Sequence, residues 1–303
     1  MLKRTLCFES GGELSVQNSQ LVFEAYGSHE PSKTAPIEDL AFVILESQRI
    51  RITTYALDAL AENNTAIIVC DKRHMPSGFL LPNTLHSVAQ RIVRAQLEAP
   101  KVFLGKLWKQ TVVAKIRNQA ACMRSHDTET AQYLEQLSKF VKAGDPENRE
   151  GTAAAVYFKT WGIVRGRQLK GTDDMPNPAL NYGYALLRAA MARALVGSGL
   201  LCIRGIHHCS EYDSYVLADD IMEPYRPFVD NLVFSGEPPF DSQTMKGGFS
   251  REMKVALLGA LASDVKMGAR RRPLANAMSN TSASLAACFE QKETKIRYPE
   301  FCP

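Results

Sequence analysis

The sequence lacks a long, uninterrupted hydrophobic run. Its most apolar stretch, residues 186–203, includes the charged Arg188 and Arg193 and the flexible Gly197 and Gly199. A helix that crosses a bilayer needs about 20 consecutive, mostly apolar residues. This stretch is therefore not expected to span a membrane, and no membrane partner is expected.

Paired cysteine motifs and a secretory signal are also missing. The first ten residues, MLKRTLCFES, include basic residues but no apolar region behind them, so we do not expect secretion. The 7 cysteines are odd in number and show no CxxC spacing, which argues against a disulfide framework or a zinc knuckle. We therefore expect reduced thiols and a cytoplasmic location.

A strong excess of one charge is absent as well, because 36 lysines and arginines are balanced by 32 acidic residues. The net charge of +4 decides little alone, but basic residues cluster at 101–117, 165–170 and 270–272. Such clusters suit a phosphate-binding surface. They are equally common on solvated helix faces, so they need accompanying chemistry to indicate nucleic acid.

The first eighty or so residues show short apolar runs separated by Gly, Asn, Ser and Pro, which predict β-strands. The predicted strands are residues 6–8, 14–16, 21–25, 40–45 and 66–70. One short helix is predicted near residues 54–61. Strands at this spacing are typical of a small sandwich or roll.

From Thr84 onward the apolar residues recur with helical period. The first helical stripe is Leu85, Val88, Ala89, Ile92 and Ala95, and after a break at Pro100 the second is Leu104, Trp108, Val112 and Ile116. Asn148 is predicted to cap a later helix. Asn177 is predicted to cap another helix, with Pro178 at its first helical position, and Gly197 is predicted to end it. Further helices are predicted at 228–233, 249–262 and 274–290.

These patterns predict an α+β fold. Residues 1–82 are predicted to form a small N-terminal β-sandwich or roll, and residues 83–292 a larger all-α domain. Residues 293–303 form an extended or disordered C-terminal tail. A length of 303 residues allows two cores, and 45% hydrophobic with 22% charged residues is ordinary for a globular protein.

Potential metal ligands are densest in residues 205–227, GIHHCSEYDSYVLADDIMEPYRP. They are His207, His208, Asp213, Asp219, Asp220 and Glu223. Asp220 and Glu223 share a face if this stretch is helical, although Pro224 and Pro227 limit or kink the helix. Adjacent histidines on an extended strand point to opposite faces, so only one is assigned to a metal. Without further information, a surface polar network is the commoner explanation.

Glu150 is a second noteworthy carboxylate, in the segment NREGTAAAVYF. It lies on one helical face with Ala154, Tyr157, Phe158 and Trp161. A carboxylate at the head of a buried stripe needs a partner, because an unpaired buried charge is costly. An exposed first-turn glutamate that interacts with the helix dipole explains the position equally well.

Three segments together resemble the CRISPR-adaptation integrase family, the first-numbered of the CRISPR-associated proteins. They are NREGTAAAVYF, LNYGYALLRAAMARAL, and GIHH followed by LADDIMEPYRP. The resemblance covers essentially the whole chain, and the length and motif sequences are closest to those of type II systems. It implies that Glu150, His208 and Glu223 are catalytic metal ligands, with Asp220 an additional or outer-shell ligand. Residues 209–215, CSEYDSY, depart from the family pattern, which is richer in asparagine there.

The resemblance further implies that the protein inserts prespacer DNA at the leader end of a CRISPR repeat array by attack of a 3′-hydroxyl. Two carboxylates and one imidazole suit Mg²⁺ or Mn²⁺. Arg149, Arg188 and Arg226 are candidates for stabilising the transition state. The candidate phosphate contacts are Lys106, Lys109, Arg117, Arg165, Arg167 and Lys170. Tyr182 and Tyr184 are predicted to pack in the core.

The family also implies partners: a homodimer formed through the β-domain, and two such dimers flanking a dimer of the small, ferredoxin-like second-numbered CRISPR-associated protein. Two other functions remain open. One is a non-haem iron oxygenase using His207, His208 and Glu223, although it lacks the usual β-barrel. The other is a catalytically silent DNA-binding scaffold of the same complex.

Overall fold

The computed structural model of the chain describes residues 4–28, 30–81, 88–162 and 175–302. Its N-terminal part is built from two sheets and a helix, α1 (Thr54–Glu62). The strands are β1 (Arg4–Phe8), β2 (Gly12–Gln17), β3 (Gln20–Ala25), β4 (Lys33–Pro36), β5 (Leu40–Leu45), β6 (Ile50–Ile52), β7 (Ala66–Cys70) and β8 (Pro76–Leu80). The five predicted strands and the predicted helix are confirmed.

The first sheet has the order β1-β5-β7-β8, and the second has the order β4-β3-β2-β6. The strands β1, β5 and β7 run parallel, and β8 pairs antiparallel with β7. Within these two sheets, the strands that the sequence did not predict are β4, β6 and β8. Their sequences, KTAP, IRI and PSGFL, contain no apolar run of three or more residues for a pattern to detect.

The central strands of the first sheet are buried on both faces. Val43 and Ile67 belong to a small core between the two sheets, together with Leu60 of α1. Phe42 and Ile68 point to the opposite face and join the large core of the helical region. This double burial explains why β5 and β7 are continuous apolar runs rather than alternating ones.

The helical region follows. Its elements are α2 (Ala89–Leu97), α3 (Lys101–Met123), α4 (Thr128–Lys139), α5 (Arg149–Thr160), α6 (Asn177–Gly197), α7 (Val216–Met222), α8 (Arg226–Val233), α9 (Ser242–Lys246), α10 (Arg251–Ala260), β9 (Asp264–Met267), β10 (Arg270–Pro273) and α11 (Leu274–Phe289). The predicted α+β class is therefore confirmed. The antiparallel β9–β10 hairpin, which carries the basic cluster 270–272, and α4 were not predicted.

Most predicted helix boundaries agree with the structure. Pro100 separates α2 from α3, and the side chain of Asn148 caps α5 by accepting from the Gly151 amide at 3.1 Å. The opening of α6 is corrected by one residue, because Asn177 is its first residue and not its cap. Thr84, Leu85 and the predicted boundary at residue 82 fall on 82–87, outside the described residues. None of the described helices has the length and apolarity that crossing a bilayer requires.

The C-terminal residues 293–302 are extended and lie against α3. The buried side chain of Asn118 donates to the carbonyl oxygens of Pro299 at 3.1 Å and Pro224 at 2.8 Å. Its own oxygen accepts from the Phe301 amide at 3.0 Å. One amide thus ties the tail to the turn that carries Glu223.

Replacing Asn118 by alanine is expected to lower the free energy of unfolding by about 2–4 kcal/mol, because three buried backbone groups lose their partner. Urea unfolding measures this loss. The control is Asn276→Ala at an exposed position of α11, expected within about 0.5 kcal/mol of the parent. A loss below about 1 kcal/mol for Asn118→Ala would show that the tail is not anchored in this way.

Candidate metal centre

The start of α5 holds Glu150 in a defined position. Asp145 accepts from the backbone amides of Arg149 and Glu150, both at 2.9 Å, and Asn148 caps the next amide. Asp145 and Asn148 both have positive φ, near 48° and 49°, a conformation that Asn and Asp tolerate better than most residues. The loop therefore folds back on α5. The Glu150 side chain, which is 24% exposed, extends from the first turn of that helix.

Glu223 lies in a single 3₁₀ turn, Glu223–Tyr225, between α7 and α8. Its oxygen Oε1 is 2.9 Å from Nη2 of Arg226, and Oε2 is 2.5 Å from Nζ of Lys115. Both oxygens of this buried carboxylate thus face a cation. Burial raises the pKa of Glu223, but Arg226 and Lys115 outweigh it and hold that pKa below its usual value.

Lys115 of α3 joins the two glutamates. Its buried ammonium group contacts Oε1 of Glu150 and Oε2 of Glu223. Burial lowers the pKa of Lys115, but the charges of Glu223 and Glu150 outweigh burial and hold it above its usual value. The two carboxylates therefore converge on one position at which a single positive charge lies.

Asp220 organises the histidine loop. It is 0% exposed, and its Oδ2 accepts from the amides of Ile206 at 2.7 Å and His207 at 2.9 Å. Its Oδ1 accepts from the amide of His208 at 3.3 Å and lies 2.5 Å from Nδ1 of the same residue. A proton on Nδ1 completes this pair, which leaves Nε2 of His208 with a free lone pair.

The loop before the histidines passes close to Asp220. A Cβ atom on Gly205 would lie 2.8 Å from Oδ2 of Asp220 and 2.6 Å from the carbonyl oxygen of His208. Only glycine fits there. The hydrogen bond to Asp220 raises the pKa of His208, burial opposes it, and the charges of Glu223 and Glu150 add to the rise.

The two adjacent histidines have different environments. His207 lies flat on the buried indole of Trp108, with ring centroids 4.2 Å apart and an interplanar angle of 1°. His208 meets the same indole edge-on, at 5.4 Å and 85°. Burial and the charge of His208 lower the pKa of His207. His207 therefore packs, whereas Nε2 of His208 has no hydrogen-bond partner among the described residues.

The structure brings Glu150 and Glu223 together directly, whereas His208 is more widely spaced. In the part of the chain that the structure describes, one group of three ligand-type side chains has donor atoms all within 4.8 Å of one another. That group is Cys7, Glu9 and Glu46. It lies at the carboxyl ends of β1 and β5, a position that the sequence analysis missed.

The group around Glu46 is already neutralised by cations. Lys254 lies 2.5 Å from Glu46, and Arg251 lies 2.5 Å from Glu9. Burial and the neighbouring Glu46 charge raise the pKa of the Cys7 thiol well above its usual value, so it stays protonated. These contacts describe an ion-pair network that ties the first sheet to α10.

The predicted cationic residues fall into three groups. Arg149 pairs with Glu147 and Arg188 pairs with Asp219, so of the three arginines Arg226 is the one that contacts a member of the triad Glu150, His208 and Glu223. Lys106, Lys109 and Arg117 are exposed on α3. Arg165, Arg167 and Lys170 lie outside the described residues. Tyr182 and Tyr184 are buried, as predicted.

Asp219 provides a pH-dependent test of the packing around this site. Burial raises its pKa to about 6, although Arg188 opposes the rise. The folded state thus binds this proton more tightly than the unfolded state, whose pKa is near 3.8. The stability that Asp219 contributes is fully present below about pH 4 and is lost as the pH rises through about 6.

The unfolding free energy of Asp219→Asn minus that of the parent is expected to rise by roughly 2–3 kcal/mol between about pH 4 and pH 7. Urea unfolding at both pH values measures the difference. Asp241→Asn serves as a control of opposite sign, because the hydrogen bond from Thr244 lowers the pKa of Asp241. A pH-independent difference for Asp219→Asn would contradict the assignment.

Comparison with known proteins identifies the family. The family model described as CRISPR associated protein Cas1 matches residues 6–246. A CRISPR-associated endonuclease Cas1 from Neisseria meningitidis serogroup C is 32% identical over 305 aligned residues, covering 100% of this chain and 98% of that protein. The resemblance inferred from the three motifs is thereby confirmed.

Solved structures share the fold. A casposase bound to its integration product has a TM-score of 0.71 and 18% identity, covering 98% of this chain and 92% of that chain. A Cas6-RT-Cas1–Cas2 complex contains a chain with a TM-score of 0.74 and 17% identity, covering 98% of this chain and 36% of that chain. By the family match and the full-length relative, the chain belongs to the Cas1 family of CRISPR-associated proteins.

Proposed function

We propose that this protein is a divalent-metal-dependent DNA endonuclease and integrase that inserts prespacer DNA into a CRISPR array. One observation carries the proposal: Glu150 and Glu223 converge on a single cation position, beside a histidine whose Nδ1 is fixed by Asp220. The endonuclease name of the Neisseria relative and the integration product bound by the casposase support the same chemistry.

The residues present fit a divalent ion. Oε2 of buried Glu223 and Oε1 of Glu150 face one cation position, at which the Lys115 ammonium lies. Nε2 of His208 would be the third ligand, since Asp220 occupies Nδ1. Both oxygens of Asp220 are taken by protein donors, which supports an outer-shell role. Two oxygens and one nitrogen suit Mg²⁺ or Mn²⁺, with the nitrogen favouring Mn²⁺.

A bound ion would polarise the phosphoryl oxygen and lower the pKa of the attacking 3′-hydroxyl. The protein's own side chains would orient the metal ligands and neutralise the phosphate charge. Arg226 fixes Glu223 through Oε1 and adds positive charge near the phosphate. Exposed Lys106, Lys109 and Arg117 on α3 would contact the DNA backbone, as would Arg165, Arg167 and Lys170. Neither strand transfer nor cleavage then requires a protein nucleophile.

A strand-transfer assay tests the proposal. The protein is incubated with labelled DNA that has a free 3′-hydroxyl and with a supercoiled target that carries leader and repeat. Either Mn²⁺ or Mg²⁺ is added. We expect joined products with metal and none with excess chelator. DNA binding without joining under all metal conditions would favour the catalytically silent scaffold. The oxygenase alternative loses support because His207 is stacked on Trp108.

The assembly is also a proposal. Residues 1–82 offer edge strands β1, β8, β4 and β6, which a second copy would cover in a homodimer. The second-numbered adaptation protein would bridge two such dimers, and the solved Cas6-RT-Cas1–Cas2 complex, in which Cas1 and Cas2 occur together, supports that partnership. All seven cysteines are free thiols, which suits the cytoplasm. A mass measurement of the purified chain that gives only monomer would contradict the homodimer.

A further inference from the structure

The buried ammonium group of Lys115 occupies the position at which the two glutamates converge. It contacts Oε1 of Glu150 and lies 2.5 Å from Oε2 of Glu223. The other oxygen of Glu223 is engaged by Arg226 at 2.9 Å. The carboxylate oxygens that a divalent ion would use are therefore the same oxygens that Lys115 contacts.

This contact follows from the position of Lys115 on the buried face of α3. Lys115 follows Trp108 by seven residues, so both lie on the buried face of the helix. The exposed lysines of the same helix, Lys106 and Lys109, lie on the other side. A lysine on a buried face needs compensating charge, and here two carboxylates from α5 and the 3₁₀ turn supply it.

We propose that Lys115 is an internal competitor of the divalent metal: its ammonium bridges Glu150 and Glu223 in the metal-free protein, and metal binding displaces it. The inference rests on the proposed metal centre. Two like charges cannot share the same two oxygens at contact distance, because their repulsion is largest in a buried site. Lys115 thus holds the carboxylates together before the metal arrives and lowers the affinity with which the metal binds.

A competing lysine and a purely structural lysine predict opposite changes in metal affinity when the lysine is removed. A structural lysine that only orders the two carboxylates would, when removed, weaken both folding and metal binding. A competitor would, when removed, weaken the metal-free fold but strengthen metal binding. Metal affinity therefore decides between the two roles without any measurement of catalysis.

The test is calorimetric titration of Mn²⁺ into the full-length parent and Lys115→Met, with melting temperatures measured in chelator and in Mn²⁺. We expect Lys115→Met to bind Mn²⁺ about tenfold more tightly, the equivalent of one lost charge-assisted hydrogen bond. Its melting temperature in chelator is expected to fall by about 5 °C, because the buried Glu223 and the partly exposed Glu150 lose a shared partner. Mn²⁺ is expected to restore most of that loss.

Three further variants make the test specific. Lys115→Arg keeps the positive charge and is expected to retain parent-like or weaker Mn²⁺ affinity. Lys115→Gln keeps hydrogen-bond donors without charge, so it shows the gain in affinity even if Lys115→Met does not fold. Lys159→Met removes an exposed charge from α5, about 13 Å along the helix axis from Glu150, and is expected to leave Mn²⁺ affinity unchanged.

Glu150→Gln separates this inference from the proposed function. If Glu150→Gln abolishes Mn²⁺ binding and neither neutral variant of Lys115 binds Mn²⁺ more tightly, the metal centre stands and the competitor role is overturned. If Glu150→Gln binds Mn²⁺ as the parent does, the metal centre itself is wrong, and the competitor role falls with it. Tighter binding by the neutral variants, lost again when Glu150→Gln is added, supports both.

Discussion

Replacing Glu150 by glutamine is expected to lower strand transfer by about a thousandfold, because a metal centre contributes several kcal/mol to transition-state stabilisation and cannot form without this charge. The loss of stability should be small, because the Glu150 side chain is 24% exposed and the buried Lys115 keeps Glu223 as its partner. The rate of product formation at saturating Mn²⁺, with a melting curve alongside, measures both effects.

Glu147→Gln is the matched control for Glu150→Gln. Glu147 lies three residues earlier in the same loop and pairs with Lys142 and Arg149. Its replacement is expected to leave Mn²⁺ binding intact. If Glu150→Gln joined DNA at the parent rate, Glu150 would be an ordinary helix-dipole glutamate and not a metal ligand.

Replacing Asp220 by alanine is expected to have the second large effect, and it acts on folding and on metal binding together. Three backbone amides and Nδ1 of His208 lose their acceptor in a fully buried position. The free energy of unfolding should fall by about 3–5 kcal/mol. Mn²⁺ affinity should fall roughly 10–100-fold, as is typical when a ligand histidine loses its orienting carboxylate.

Asp220→Asn separates the two effects, because its amide keeps the shape and one acceptor oxygen but loses the charge. We expect a smaller loss of stability and a similar loss of Mn²⁺ affinity. Asp219→Asn changes the neighbouring carboxylate, which pairs with Arg188 instead, and is expected to keep Mn²⁺ affinity. A fully active, stable Asp220→Ala would show that His208 does not depend on this carboxylate.

Local sequence signals predicted two elements of the site: α3, which carries Lys115, and α5, which carries Glu150. Apolar period placed Trp108 and Ile116 on the buried face of α3, and the cap at Asn148 placed Glu150 in a first helical turn. Both signals are local, since helix periodicity and capping depend on residues within a few positions of each other. The edge strands β4, β6 and β8 were not predicted, because their sequences KTAP, IRI and PSGFL contain no apolar run of three or more residues.

The contacts between elements could not be predicted in the same way. The sequence did not decide whether Asp220 is a ligand or an outer-shell group. Only the tertiary structure shows that both its oxygens accept hydrogen bonds from the protein. Lys115 was missed altogether, although it follows Trp108 by seven residues and thus lies on a stripe that should be apolar. A charged residue on an apolar stripe indicates that a buried partner of opposite charge lies nearby. Which partner it meets depends on the packing of α3 against α5 and the 3₁₀ turn.

Anomalous diffraction from crystals of the full chain grown with Mn²⁺ tests the metal centre most directly. We predict a peak bonded to Glu150, to Nε2 of His208 and to Glu223, with the nitrogen of Lys115 moved away from both carboxylates. A peak at Cys7, Glu9 and Glu46, with none between Glu150 and Glu223, would contradict the account.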